Sequence, residues 1–292
     1  MDPIFLTIGP IVVRWYGVLI MLGVVLGTIW TVRLARARGL DPEWILDLGI
    51  WFALAGIVGA RAAYVLTSPS AYFGPGGDPL AAFAVWEGGL SIHGAVAGII
   101  AVLAWQARKK GYDAWRYLDV LMPVMAFGII GGRIGNFMNG TDTGGRLTDW
   151  AIGFRWPAVG TPTFGEFGRV VFGERLWVNA PPACFEAGVR LDPCVVHLTQ
   201  GYGALVGVLL IGVIVWALRS ARSHGGVALH AVIWYSVLRS VIEEPFRDNP
   251  LPLRLYEDVV GGVGLLTTTQ VASVVIVAIG LYLLSARPDK RD

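Results

Sequence analysis

Seven apolar runs, at about residues 15–35, 44–66, 88–107, 117–136, 201–218, 227–245 and 260–284, decide what this chain can become. Each is long enough to cross a hydrocarbon core of about 30 Å, where a backbone must satisfy its own hydrogen bonds, so each is expected to be a helix. The fold class expected is an all-α polytopic membrane protein, one integral membrane domain over 1–292. Composition agrees, with 55% of the residues hydrophobic and 15% charged, far from the balance of a soluble domain. The first run does not read as a cleavable leader: no basic segment precedes it, and its apolar stretch is too long.

The short connections set the orientation. Twelve Lys and Arg residues follow the first, third and fifth runs or end the chain, Arg33, Lys109, Arg219 and Lys290 among them, against Arg14, Arg247 and Arg254 in the opposite short segments. Positive loops stay in the cytoplasm, so the N-terminus is expected outside and the C-terminus inside. The net charge of +2 is this asymmetry in aggregate and gives no reason to invoke nucleic acid.

Polar groups inside such runs need a purpose. The stretch Gly131–Gly145, GGRIGNFMNGTDTGG, delivers Arg133, Asn136 and Asn139 from an apolar helix. An arginine at the centre of a membrane helix costs about 2.5–3.5 kcal/mol, less toward the interface, so it should face a partner or a wet cavity. Arg133 and Asn136 are three apart and share a helical face. In the sixth run Tyr235, Arg239 and Glu243 repeat every four residues, which stacks them with opposite charges adjacent; Pro245 then ends the helix. Tyr16 lies one turn into the first run, Arg61 near the outer end of the second, and His93 one to two turns inside the third, among small residues. Gly23 and Gly27 form a small-residue pattern that reads as helix packing.

With the orientation above, Tyr16, Arg61, His93, Arg133, Asn136, Arg239 and Glu243 all fall in the outer half of the membrane, although they come from five runs. Guanidinium groups match phosphate oxygens, and histidine is the one side chain there that accepts a proton near neutral pH without strong perturbation. The residues alone therefore point to an enzyme or transporter acting on an anionic lipid from the outer leaflet.

The segment 140–199 is too long and too polar for a turn and is expected to be a small extracytoplasmic head. Trp150–Trp156 and Phe167–Val178 read as short strands or hairpins. Cys184 and Cys194, the only cysteines, lie there on the oxidising side, so a disulfide is expected. Two cysteines and one histidine do not make a metal site, and no cofactor pattern is present.

Gly132-Arg-Ile-Gly-Asn-Phe-Met-Asn-Gly140 resembles the signature of the prolipoprotein diacylglyceryl transferases. Glu87-Gly-Gly-Leu-Ser-Ile-His93-Gly94 is similar to that family's histidine motif, Arg14-Trp-Tyr-Gly17 to its first-span motif, and Arg239–Arg247 to its sixth-span segment. The resemblance covers almost the whole chain. It implies transfer of the diacylglyceryl group of phosphatidylglycerol to the lipobox cysteine in the signal peptide of a preprolipoprotein, in the bacterial inner membrane, without metal or cofactor. It further implies His93, Arg133 and Arg239 as catalytic residues. Tyr16, Arg61, Asn136, Asn139, Gly144, Tyr235 and Glu243 are implied to contact substrate, Glu243 by holding Arg239. The chain departs from the family pattern twice: Thr141 and then Asp142 stand where an acidic residue usually follows Asn-Gly, and Gly203 stands where a glutamate ends the motif that begins at His197. The alternative is a divergent paralogue that binds or transports an anionic lipid without this transfer.

Overall fold

The long apolar runs are mostly helical. The computed structural model describes residues 3–140, 144–162, 170, 176–178, 180–253 and 255–287; Thr141 and Asp142 lie outside them. Its helices are α1 (Trp15–Ala37), α2 (Pro42–Thr67), the short α3 (Pro69–Phe73), α4 (Ile92–Lys110), α5 (Ala114–Asn139), α6 (Thr199–Ser220), α7 (Gly226–Ile242) and α8 (Thr268–Ser285). Apart from α3 they correspond one to one with the seven apolar runs. Six among the described residues are long and apolar enough to cross a membrane. The remaining long helix, α4, has 19 residues and closes on Arg108, Lys109 and Lys110, which dilutes its apolar character.

Short strands join the helices: β1 (Ile4–Ile8), β2 (Ile11–Arg14), β3 (Phe154–Arg155), β4 (Phe185–Glu186), β5 (Val189–Arg190), β6 (Val195–Val196), β7 (Tyr256–Asp258) and β8 (Val263–Leu265). All pair antiparallel in twos, β1 with β2, β3 with β6, β4 with β5 and β7 with β8. The last hairpin corrects the seventh run. Its helix begins at Thr268 rather than near 260, because residues 256–265 turn back through Gly262 at φ +70°. Thr267 and Gln270 then form a reciprocal capping box that starts α8.

The chain forms two units, Met1–Thr31 with Asp119–Asp292, and Val32–Leu118. In the first, α1 lies against α5 where a Cβ at Gly23 or Gly27 would strike the backbone of Phe127 or Val124, the close approach that small residues permit. Thr31 Oγ1 donates to the Val120 carbonyl at 2.8 Å. Asp119, on α5, accepts from the backbone N–H groups of Gly225 and Ala228 at 2.8 and 2.9 Å. It thereby satisfies donors that the start of α7 cannot satisfy itself. Beyond α5, Trp156, Trp177 and Val196 pack around the Cys184–Cys194 disulfide, with Phe137 and Met138 of α5 against them. The expected strand in 150–156 is β3. Of 167–178 only Val170 and Leu176–Val178 are described, and Leu176 bridges to Pro162.

In the second unit α2 and α4 cross so closely that a Cβ at Gly94 would lie 2.8 Å from the Gly59 carbonyl carbon. Asp41 caps α2 by accepting from the N–H groups of Glu43 and Trp44. Those bonds, that from Trp44 foremost, hold its carboxyl below the ordinary aspartate range.

Candidate functional site

Helix α5 carries Arg133 and Asn136 on its last two turns, and glycines decide what can approach them. A Cβ at Gly135 would sit 2.9 Å from the Tyr16 Cα, so the start of α1 is seated directly on this turn. Helices α6 and α8 begin, and α7 finishes, at the same end of the first unit. There α7 stops at Ile242, and Glu244–Phe246 continue as one turn of 3-10 helix. Two adjacent carboxylates, Glu243 and Glu244, are left pointing inward, 1% and 0% exposed.

Around them stand three arginines. Arg133 Nη2 is 2.6 Å and Arg247 Nη1 2.7 Å from Glu243 Oε1. Arg239 donates to Glu244 Oε1 through Nε at 2.9 Å and Nη2 at 2.8 Å. The other oxygen of Glu244 accepts from Asn249 Nδ2 at 2.9 Å and Thr267 Oγ1 at 3.1 Å. Arg239 Nη1 also donates to the Tyr235 hydroxyl at 3.1 Å. The expected pairing of Arg239 with Glu243 is thus corrected. Spacing by four holds only while the helix lasts; past Ile242 the chain tightens, Glu244 swings under Arg239, and Glu243 turns to Arg133.

Three guanidinium groups against two carboxylates leave this cluster one positive charge over. Buried charge of one sign is costly unless something balances it. The Arg133 and Arg239 side chains keep 12% and 23% of their surface exposed, so both can still reach an anion. Asn136 Oδ1 is buried with no donor among the described residues. It offers an acceptor beside the cationic groups. Asn139 lies partly buried on the final turn of α5. Gly144 accepts from the Asp248 N–H at 3.2 Å, and a Cβ there would meet Pro181 at 3.0 Å. Its position ties the chain after α5 to the chain after α7.

Gly203 explains one departure from the family pattern in physical terms. A Cβ at this position would lie 2.5 Å from Arg133 Nε and 2.9 Å from Glu243 Oε2. The space that a side chain would need on this face of α6 is filled by the Arg133–Glu243 ion pair.

Arg61 and His93 belong to the second unit. Arg61 is 6% exposed and donates to four backbone carbonyls: Ala81, Ala82 at 2.9 Å, Gly88 at 2.6 Å and Gly89 at 3.2 Å. It holds the loop that feeds α4. His93 is the second residue of α4, exposed, and no described residue hydrogen-bonds its ring. Its neighbour Gly94 locks the helix to α2, which fixes where the imidazole emerges.

Sequence reasoning missed Glu244 and Arg247 as members of the cluster, although the doublet of acids before a proline was a visible signal. It also passed over His197. That ring is fully buried and packed against Trp150 and Phe246. Its Nε2 is 2.8 Å from the Gly261 carbonyl and its Nδ1 3.1 Å from the Tyr202 hydroxyl. A carbonyl only accepts, so Nε2 carries the proton and Nδ1 accepts from Tyr202. Burial keeps the imidazole neutral by pushing its pKa below 6.5, only partly offset by the Gly261 carbonyl.

Comparison with known proteins gives the family. Residues 3–286 match the family model of the prolipoprotein diacylglyceryl transferases. The chain is 44% identical over 277 residues to the phosphatidylglycerol–prolipoprotein diacylglyceryl transferase of Thermus thermophilus, covering 95% of each chain. It is 39% identical to the Deinococcus radiodurans protein of the same name, over 97% of this chain and 85% of that one. Against the Agrobacterium fabrum protein the identity is 30%, over 83% of this chain and 78% of that one. With a match that runs through every helix described above, the chain belongs to the prolipoprotein diacylglyceryl transferase family.

Proposed function

We propose that this protein transfers the diacylglyceryl group of phosphatidylglycerol to the lipobox cysteine in the signal peptide of a preprolipoprotein, the first step of lipoprotein maturation. It works as a multi-pass protein of the bacterial inner membrane, N-terminus outside and C-terminus in the cytoplasm. The observation that carries the proposal is the surplus positive charge of the Arg133, Arg239 and Arg247 cluster over Glu243 and Glu244, which a phosphodiester would balance.

The chemistry follows from the bonds that change. A cysteine thiol near pKa 8.5 is only a few per cent thiolate at pH 7, so a base must take its proton as it attacks. His93 has that task. Sulfur forms a bond to the glyceryl carbon, the bond from that carbon to the phosphate oxygen breaks, and glycerol phosphate leaves with the electron pair. Charge gathers on the phosphate as the bond stretches, and Arg133 and Arg239 stabilise it there. Tyr16, Asn136, Asn139 and Tyr235 orient the head group, and Glu243 keeps Arg133 in place. Gly144 holds the chain close over the end of α5. Arg61 contributes by ordering the loop before His93.

Purified protein, phosphatidylglycerol and a lipobox peptide are expected to give a diacylglyceryl adduct on the peptide cysteine and one glycerol phosphate per adduct. Lipid binding without an adduct, across several lipobox peptides, would sink the proposal in favour of a lipid-binding or lipid-transporting paralogue.

A further inference from the structure

One turn beyond Arg133 on the same face of α5, Phe137 opens into a cavity of about 440 Å³ lined also by Phe154, Arg155, Pro157, Thr161, Pro162 and Trp177. This is within the range of about 300–1,000 Å³ typical of ligand cavities, and mostly apolar walls with few polar groups are the usual composition. The rings stand edge to face, Phe137 against Phe154 at 5.9 Å and against Trp177 at 6.0 Å. The Cys184–Cys194 core lies behind them. Arg155 is exposed, and no described residue pairs with its guanidinium.

We propose that this cavity binds the apolar residues flanking the cysteine of the polypeptide substrate, with Arg155 donating to their backbone carbonyls. The proposal rests on the transferase reading above and names where its second substrate docks. Two observations select a peptide. Aromatic rings form the kind of groove that holds an extended chain, while a guanidinium with no partner among the described residues serves carbonyl groups that such a chain cannot leave unbonded. Distance agrees too. Residues 133 and 137 are about 6 Å apart along the helix axis, and an extended chain advances about 3.3–3.6 Å per residue. A residue about two positions from a thiol held at the Arg133 end therefore reaches Phe137.

The test measures initial rates of the full-length protein with varied lipobox peptide at saturating phosphatidylglycerol, and the reverse. Arg155→Glu reverses the charge at the cavity, and Thr161→Trp fills it; neither position lies in the hydrophobic core, and thermal melting checks that both variants fold. Each is expected to raise the peptide KM about tenfold, with kcat and the lipid KM held within about twofold. An unchanged peptide KM in both variants overturns the proposal and leaves the transferase reading standing. A rise in the lipid KM instead assigns the cavity to the lipid head group and equally overturns it. If the unmodified protein forms no adduct at all, the transferase reading fails; anisotropy of a labelled lipobox peptide then decides the cavity, with weaker binding to both variants supporting it and equal binding overturning it.

Discussion

Arg61 and the arginines of α5 and α7 are all cations carried by apolar helices, yet their partners differ in kind. Arg61 hydrogen-bonds backbone carbonyls and lies over the Tyr64 and Tyr72 rings, neutral partners that leave its charge in place. Arg133 and Arg239 meet carboxylates, which cancel charge as well as satisfying donors. A guanidinium with four of its five N–H donors on carbonyls works as a clamp. A guanidinium on a shared, undersized set of carboxylates keeps both surface and net charge for an incoming anion. The partners distinguish the two.

The largest effect should come from removing the charge that faces the ligand. Arg133→Ala or Arg239→Ala is expected to lower kcat/KM for transfer by at least about 100-fold, as loss of a donor to a developing oxyanion does. Activity within about tenfold of the unmodified protein in both variants would place the phosphate elsewhere. His93→Ala should stop transfer to a similar extent while phosphatidylglycerol still binds, since its proposed task is proton removal. Full transfer by that variant would remove the base assignment.

Next in size is Glu244→Ala, which tests whether the carboxylates are scaffold. Its oxygens serve Arg239, Asn249 and Thr267 at once. Deleting one partner of a buried pair typically costs about 3–5 kcal/mol, so a marked drop in melting temperature in detergent is expected. Arg61→Lys should do less to stability but should still slow transfer. An ammonium is a point charge that cannot span carbonyls from two separate turns as a planar fork does, so the loop before His93 loosens. Unchanged transfer by Arg61→Lys would mean that the clamp does not govern where His93 sits.

The same contrast separates what is legible in the amino-acid sequence from what is not. Apolar runs mark the long helices, because a bilayer leaves a chain so few options. Arg133 and Asn136 stand out because polar groups in such runs are costly. The Cys184–Cys194 bridge follows from compartment and scarcity. The features that escape are set by tertiary contacts. Carbonyls carry no sequence signal, so the clamping of the loop by Arg61 is invisible there. A periodicity argument assumes that the helix continues, so it pairs Arg239 with Glu243 although α7 has already ended at Ile242. The late start of α8 is hidden in the same way, because Val259, Val260, Val263 and Leu265 look helical by hydropathy and sit on a hairpin instead.

The smallest effect expected concerns His197, which the cluster does not use and which separates structural from chemical histidine. Its ring is neutral in the folded protein, with a pKa lowered from 6.5 by burial, while in the unfolded chain it titrates near 6.5. Below that pH the unfolded state binds the proton more readily, so stability falls as pH drops from about 6.5 toward the lower native value; above about 6.5 the contribution is complete. Melting temperature in detergent should therefore decline between pH 7.5 and pH 5. The decisive quantity is the difference from His197→Gln, which isolates this one ring. Glutamine can donate to the Gly261 carbonyl and accept from Tyr202 without titrating. Its slope should be shallower than that of the unmodified protein. Identical slopes would mean that the buried imidazole takes its proton without disturbing the fold, and that burial does not hold it neutral.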